Sequence, residues 1–475
     1  MIVPYIIVCP TCGSRIFVRI QKADYLPEYP IRINCGKCKT LIKGTFAGED
    51  SKRRGGLHLY NATSEVPYPV NLEINAAYSI EIAGEIPARK IASFDGKIGN
   101  KSSPFMEAVS NMDAQEMLAY KERLSAFYPE YCQWQKKYCT AFQLLQDGSF
   151  DYIPVVLKNQ IGEYVYECDN ILKTLYCLQE RIILATQYIF IKPINQKEIL
   201  QRIHILLANL PYEELDAFLD NLKNQYDLIT LYIRLVNIFV DFMNVYPNLL
   251  PAEAILRYKN KKLKQNTGIS TCTFSDLKIY YQDTYETLLS MMDIPVCLDN
   301  INCRRNWNAF AVHIIRTNKD GTQKRINNIS DYRNLANGKR LEFLDLHEPF
   351  QQIIAIPANS KLRNGIGHNN IKYDGTSQTI SILNKKDYEN VIEKISLIDF
   401  AVDCIGLMKS AVIMSEIILA LIRYDKQKEG IKSIISPQLY SKKISPNDKC
   451  PCGSGIKYKK CCKHDLEKVL SSKKQ

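Results

Sequence analysis

Hydrophobic and polar positions change their period along the chain. In the first fifty residues they alternate in short runs: Tyr5-Ile-Ile-Val8, Arg15-Ile-Phe-Val-Arg-Ile20, Ile31-Arg-Ile-Asn34 and Thr40-Leu-Ile-Lys43. A period of two sends successive side chains to opposite faces, so each run predicts a β-strand. Leu57-His-Leu-Tyr60 and Tyr78-Ser-Ile-Glu-Ile82 continue the pattern, with Pro and Gly between them. Asn100-Lys-Ser-Ser-Pro104 reads as a linker. From Pro104 to Leu263 the apolar residues recur at helical spacing, as in Glu198–Leu210, Tyr212–Leu222 and Leu228–Met243, and Pro-containing breaks separate the helices. A second helical block runs from Phe274 to Tyr424. It includes a polar loop at Asn318–Gly321, a predicted helix from Phe343 to Ile356, a hairpin over Ile371–Leu383 and a long closing helix from Ile395 to Tyr424.

Composition narrows the class. The chain has 475 residues, 46% hydrophobic and 24% charged, which is ordinary for a globular protein and excludes a disordered or collagen-like chain. Its net charge of +12 is uneven. Residues 1–55 carry 10 basic and 4 acidic side chains, residues 425–475 carry 13 and 5, and the body carries 39 and 41. A nearly neutral body with two basic ends suits contact with phosphate backbones or acidic proteins at those ends. The apolar start, Met1 to Val8, lacks a basic leader and runs into Cys9-Pro-Thr-Cys12, unlike a signal peptide. The longest apolar stretch, Ala401–Ile422, is interrupted by Asp403, Lys409 and Glu416, which argues against a membrane span. A soluble, reducing, cytoplasmic setting is expected, where clustered Cys bind metal rather than form disulfides.

Eight of the 16 Cys fall in two clusters. The others, Cys132, Cys139, Cys168, Cys177, Cys272, Cys297, Cys303 and Cys404, lie in apolar contexts and read as small core residues. The first cluster is Cys9-x2-Cys12 with Cys35-x2-Cys38. Each pair offers two thiolates from one tight turn, and two such knuckles complete a tetrahedron around zinc. Gly13 and Gly36 fall where those turns need relaxed backbone sterics. Four Cys leave no open position for water, so the site is structural rather than catalytic. The segment resembles small zinc ribbons with a Cys-Pro-x-Cys first half and an Arg-x-x-Cys-x-x-Cys second half, here Arg32 to Cys38.

The second cluster is Cys450-Pro-Cys452 followed by Cys461-Cys462 within a Lys-rich segment. Its Cys-x-Cys-x8-Cys-Cys spacing resembles the SEC-C motif, first described at the C-terminus of the preprotein translocase motor. That resemblance implies that Cys450, Cys452, Cys461 and Cys462 hold zinc, with His464 as an alternative ligand. It also implies a module that docks on proteins or ribosomes. Lys457, Tyr458, Lys459 and Lys460 would form its basic, aromatic surface. About two zinc ions per chain are expected, one from each set of four ligands.

The third motif is Lys361-Leu-Arg-Asn-Gly-Ile-Gly-His-Asn-Asn370. Arg363, Asn364 and His368 resemble the Arg-x4–6-His signature of the HEPN superfamily, whose RNase members often place Asn after Arg, and the flanks are similar to those of bacterial abortive-infection proteins. The resemblance implies a metal-independent endoribonuclease that works as a homodimer in antiviral defence. The residue types suit that chemistry. His exchanges protons near neutral pH, and Arg holds phosphate oxygens in a charged planar fork. Arg340-x6-His347 is a second match to the spacing, with Leu after its Arg. Arg304, Arg305, His313, His58 and His204 read as surface or packed residues.

The expected architecture is mainly α. A zinc ribbon occupies 1–50 and a small β region 51–104. A helical domain spans 105–270 and a HEPN-like helical domain 271–424. A linker over 425–449 leads to a zinc knuckle over 450–464. Expected partners are RNA, a second copy, and a protein or ribosome reached through the knuckle, with no membrane. The alternative is a non-catalytic adaptor that binds RNA, ribosomes or protein through its zinc modules.

Overall fold

The computed structural model describes residues 2–22, 26, 28–47, 56–65, 76–93, 102–134, 138–157, 170–190, 193–259, 266–311, 315–317, 320–354, 359–431, 445–447 and 457–460. It is about 55% helical with several small sheets. The N-terminal alternation becomes strands β1 (Ile2–Val8), β2 (Arg15–Gln21), β3 (Glu28–Asn34) and β4 (Leu41–Ala47). Then come β5 (Gly56–Leu59), β6 (Thr63–Glu65), β7 (Tyr78–Ala83), β8 (Ala88–Arg89) and β9 (Ala92–Ser93). One sheet runs β6-β1-β2-β7-β9, with β2 and β7 parallel, and a second runs β3-β4-β5. The inward faces of both sheets share a small core of Ile7, Ile16, Val18, Ile20, Ile31, Ile33, Ile42, Phe46, Ile80 and Ile82.

Helices begin at α1 (Pro104–Met112), where Ser103 accepts the Met106 N–H as an N-cap. The following helices are α2 (Ala114–Gln133), α3 (Cys139–Gln146), α4 (Ile153–Leu157), α5 (Ile171–Thr186), α6 (Pro193–Ala208), α7 (Tyr212–Lys223) and α8 (Leu228–Ile255). The proline-break expectation fails at α8. The helix passes through Pro247 and Pro251, both buried among Leu249, Leu250, Ala252 and Ala254, so tertiary packing outweighs the lost backbone hydrogen bonds.

After β10 (Thr267–Gly268), which pairs with β8, come α9 (Phe274–Ser290) and α10 (Asp293–Arg304). The hairpin β11 (Ile315–Thr317)–β12 (Gln323–Arg325) precedes α11 (Ile329–Arg333) and α12 (Asn337–Arg340). The helix predicted over 343–356 is instead two short 3₁₀ turns, Leu341–Phe343 and Phe350–Ile354, separated by Pro349. Helix α13 (Ser360–Gly367) leads into the meander β13 (Ile371–Asp374), β14 (Thr379–Leu383) and β15 (Val391–Ser396). The closing helix α14 (Leu397–Lys428) starts two residues later than expected, because Ile395 and Ser396 pair with β14, and ends four residues later.

Helix α14 is the axis of the body, packed on α5, α6, α8 and α9. Of the polar residues that interrupt its sequence, Glu416 is buried and partnered, and Ser410 joins it inside. Glu416 accepts from Gln179 at 2.8 Å and pairs with His204 at 2.6 Å, and Ser410 donates to the Ile353 carbonyl at 2.8 Å. By length and composition α8 and α14 are both apolar enough to cross a membrane, contrary to the expectation of no such stretch. In α14, 89% of the most apolar window is buried inside the protein, the pattern of a core helix.

The ribbon is seated on this body. The Arg32 N–H donates to the Ser270 carbonyl at 2.7 Å, Arg32 lies 3.8 Å from Asp276, and Lys39 pairs with Asp374 at 2.7 Å. The described residues thus place the ribbon beside the β13–β14 turn, a few residues beyond Arg363 and His368.

Candidate metal centres and the Arg363–His368 segment

The two N-terminal knuckles are built alike. Each caps a hairpin, one between β1 and β2, the other between β3 and β4. In the first, Cys9 N donates to the Ser14 carbonyl at 2.9 Å and Gly13 N to the Cys9 carbonyl at 3.0 Å. In the second, Cys35 N donates to the Thr40 carbonyl and Lys39 N to the Cys35 carbonyl, both at 2.9 Å. The residue after each second Cys is left-handed, Gly13 at φ 66° and Lys39 at φ 62°. Gly13 therefore does what the sequence suggests. Gly36 does not: its φ is ordinary, and it is needed because the Tyr78 ring lies 2.9 Å from where a Cβ would stand.

Four sulfurs converge between the tips. Cys9 and Cys38 lie 3.5 Å apart, and Cys12 and Cys35 3.6 Å apart. A zinc ion bound to four thiolates at about 2.3 Å sets its sulfurs about 3.8 Å apart, so the ion fits with shifts of a few tenths of an ångström. The local field is graded. The Ser14 hydroxyl lowers the Cys12 thiol to about 6, Thr40 lowers Cys38, and burial pushes Cys35 up to about 12. Zinc bound here would be held as four thiolates, closed to substrate.

The second Cys set, Cys450, Cys452, Cys461 and Cys462, lies outside the described residues, as do His464 and Cys168. Nearby, Tyr458–Lys460 form a 3₁₀ turn, and the Lys459 N–H donates to the Pro446 carbonyl at 3.0 Å. Lys457, Lys459 and Lys460 are exposed.

Arg363 and Asn364 lie on α13, and His368 is its C-cap. Asn359 starts the helix by accepting the Leu362 N–H at 3.0 Å and is itself anchored to Glu393 at 2.6 Å. The Arg363 guanidinium has one ionic partner and one hydrogen-bonded partner. Its Nε meets Glu286 of α9, and one terminal nitrogen donates to Asn364 Oδ1 at 2.9 Å. Asn337 donates to the other Glu286 oxygen at 2.9 Å. His368 is exposed, and no hydrogen bond to its ring is found among the described residues. The segment therefore presents an oriented guanidinium and an exposed imidazole from one short helix. Glu286 carries no sequence signal for this role, because it is about eighty residues away in the chain.

The competing spacing match dissolves. Arg340 is buried, donating to the carbonyls of Leu289 at 2.9 Å, Ser290 at 3.1 Å and Arg333 at 2.9 Å. It is an internal clasp, and His347 keeps company instead with Asp299 and Cys303. Among the scattered Cys, Cys177, Cys272, Cys297 and Cys404 are buried as expected, and Cys132 and Cys139 are half-buried. Cys303 is exposed, at the solvent end of α10, contrary to the core reading. His204 is packed against Glu416, Arg304 is tied to Asp345 at 2.6 Å, and His313 lies outside the described residues.

Residues 447–463 match the SEC-C motif. Over 44 residues, 9% of this chain, the sequence is 46% identical to the protein translocase subunit SecA of Syntrophotalea carbinolica (strain DSM 2380 / NBRC 103641 / GraBd1). That stretch covers 5% of the relative's length. No solved structure matches the chain. Both matches lie over the C-terminal motif and lend no support to the HEPN resemblance of residues 361–370. The SEC-C motif and the Cys9, Cys12, Cys35, Cys38 cluster are each consistent with zinc binding.

Proposed function

We propose that the chain is an endoribonuclease whose chemistry is carried by Arg363, Asn364 and His368 and whose zinc modules serve recruitment. One observation supports this reading above the rest: a guanidinium held in fixed orientation by Glu286 and Asn364, on the same short helix as an exposed imidazole. In the proposed reaction the RNA 2′-OH attacks the adjacent phosphorus as His368 takes its proton. Arg363 steadies the extra negative charge on the phosphorane. The 5′-oxygen leaves with a proton, and the other product ends in a 2′,3′-cyclic phosphate. A second copy of the motif across a homodimer would supply the acid. In this proposal the HEPN-like domain over 271–424, with α9 and α14 as its long helices, carries α13, and antiviral defence is the role that the resemblance implies.

The test is cleavage of labelled RNA by full-length protein in EDTA mild enough to leave structural zinc in place. His368→Ala should lower the rate by about 10²–10⁴, the usual contribution of one general acid or base. Arg363→Ala should do comparable damage, rescued only in part by Lys, which lacks the planar fork. Full activity in the His368→Ala protein would overturn the proposal. It would leave a second reading, favoured by the SEC-C match and the basic C-terminal segment: a non-catalytic adaptor that docks on RNA, ribosomes or a protein.

A further inference from the structure

We propose a second kind of metal site, a solvent-open centre formed by Asp299, Cys303 and His347, independent of the ribonuclease reading. Asp299 and Cys303 stand four residues apart on α10, and so on one face of the helix. His347 arrives from the loop between the two 3₁₀ turns. Its backbone N–H donates to Asp299 Oδ1 at 3.1 Å, which ties the loop to the helix and fixes the carboxylate. The His347 Nδ1 then lies 3.0 Å from Asp299 Oδ2 and 3.4 Å from Cys303 Sγ, and all three donor atoms fall within 4.8 Å of one another.

Two features favour a cation over a plain hydrogen-bonded cluster. The first is that thiol and carboxylate converge on the same ring nitrogen. A single Nδ1 has one proton or one lone pair to offer, so when it serves the carboxylate the thiol is left with a long donation to Asp299 Oδ1 at 3.8 Å. A Cys-His-Asp relay would engage opposite nitrogens of the ring, so this is no nucleophile–base arrangement. The second is the spacing. Zinc bonds of about 2.3 Å to sulfur and about 2.05 Å to nitrogen and oxygen put tetrahedral S···N and N···O edges at about 3.6 and 3.3 Å. The observed 3.4 and 3.0 Å lie within a few tenths of those edges.

The donor set selects the ion. One thiolate, one carboxylate and one neutral imidazole balance a divalent charge, and the mixed S, N, O set suits zinc or cobalt rather than calcium or magnesium. Arg304 stands 3.9 Å from Asp299, but its charge is already met by Asp345 at 2.6 Å. Asp299 forms the buried floor, whereas Cys303 is exposed and the His347 ring is half exposed. Three protein ligands with an open outer side leave a fourth position for water or a ligand oxygen. That is the coordination pattern of reactive zinc rather than of the closed ribbon. Binding would release the thiol proton and any proton on Nδ1.

The test is titration of the full-length protein, purified with its zinc, with Co²⁺. The wild type should take up one further equivalent, with d–d absorption and a sulfur-to-cobalt charge-transfer band of single-thiolate intensity. Cys303→Ser should lose that band, and His347→Ala should weaken the uptake at least ten-fold. Any cobalt exchanging into the tetrathiolate sites persists in both variants and is subtracted. A measurement on the wild type alone guards against misfolded variants: Zn²⁺ should slow alkylation of Cys303 by iodoacetamide at least ten-fold. No extra equivalent, a band unchanged in Cys303→Ser, or an alkylation rate indifferent to zinc would each overturn the site.

Discussion

Replacing Cys35 by serine would remove the most buried of the four clustered thiols and put a poor zinc ligand in its place. The size of the effect follows from what else holds the ribbon. Structural zinc sites of this kind contribute about 10–16 kcal/mol to folding. Whole domains hold only about 5–15 kcal/mol in reserve. The contacts that seat the ribbon on the helical body fall short of that, even with Leu26 and Tyr29 buried in the body's core at about 1.5–3 kcal/mol each. The Lys39–Asp374 pair is well exposed on its Lys side, and pairs of that kind contribute about 0–1 kcal/mol. Arg32 adds one backbone hydrogen bond to Ser270, a net contribution of about 1 kcal/mol. Metal loss therefore outweighs docking, and β1–β4 should open, taking sheet partners from β5, β6 and β7, while α8 and α14 stay closed. Elemental analysis should show one zinc fewer than in the wild type. Amide hydrogen exchange should show lost protection in β1–β4 and little change along α14. Acid should act in the same direction, since the thiols must lose protons to bind zinc and protons compete with the metal for them. Slow exchange over β1–β4 in zinc-free Cys35→Ser protein would instead assign the ribbon's stability to its apolar core.

Two further predictions concern the body. Glu253 and Arg123 form a pair with side chains 2% and 3% exposed, and Tyr246 donates to the same carboxylate at 2.5 Å, so Glu253→Gln leaves a buried guanidinium uncompensated. Urea unfolding should show a loss of about 3–5 kcal/mol, and replacing both partners by apolar residues should recover most of it; a loss under about 1 kcal/mol would contradict the pairing. Asp113 accepts the Glu116 N–H at 2.9 Å at the start of α2 and pairs with Lys259, which holds its carboxyl below the ordinary 3.8. A lowered folded-state value means that the contribution is full above 3.8 and fades as pH falls through the lowered value, so the gap in thermal midpoint between wild type and Asp113→Asn should close in acid. A gap that stays constant down to the lowest pH would show that Asp113 acts only as a neutral cap.

What could be read from the residues divides along a physical line. Strands β1–β4 and helices α6 and α7 were legible because their apolar periods are local. The convergence of Cys9, Cys12, Cys35 and Cys38 was legible because two Cys-x2-Cys pairs constrain each other whatever surrounds them. Length was the harder quantity. Nothing local says that α8 continues through Pro247 and Pro251; that is decided by α14 packed along its side. The same holds for the polar residues of α14, which look like interruptions until Gln179 and His204 are placed opposite Glu416.

Functional residues followed the same rule, and the two Arg–His spacings make the argument sharpest. Arg363-x4-His368 and Arg340-x6-His347 are near equals as patterns. In the fold, Arg340 is spent on three backbone carbonyls, whereas Arg363 is oriented at a partly exposed position by Glu286. His347 lost its role in the pattern and gained Asp299 and Cys303, residues about fifty positions upstream that no spacing rule would join to it. A short motif fixes which chemistry a segment can offer. Whether it is offered depends on which carboxylates and carbonyls the rest of the chain brings to it. At Arg340 those partners engage both terminal nitrogens, and at His347 they leave three ligand atoms facing a common point.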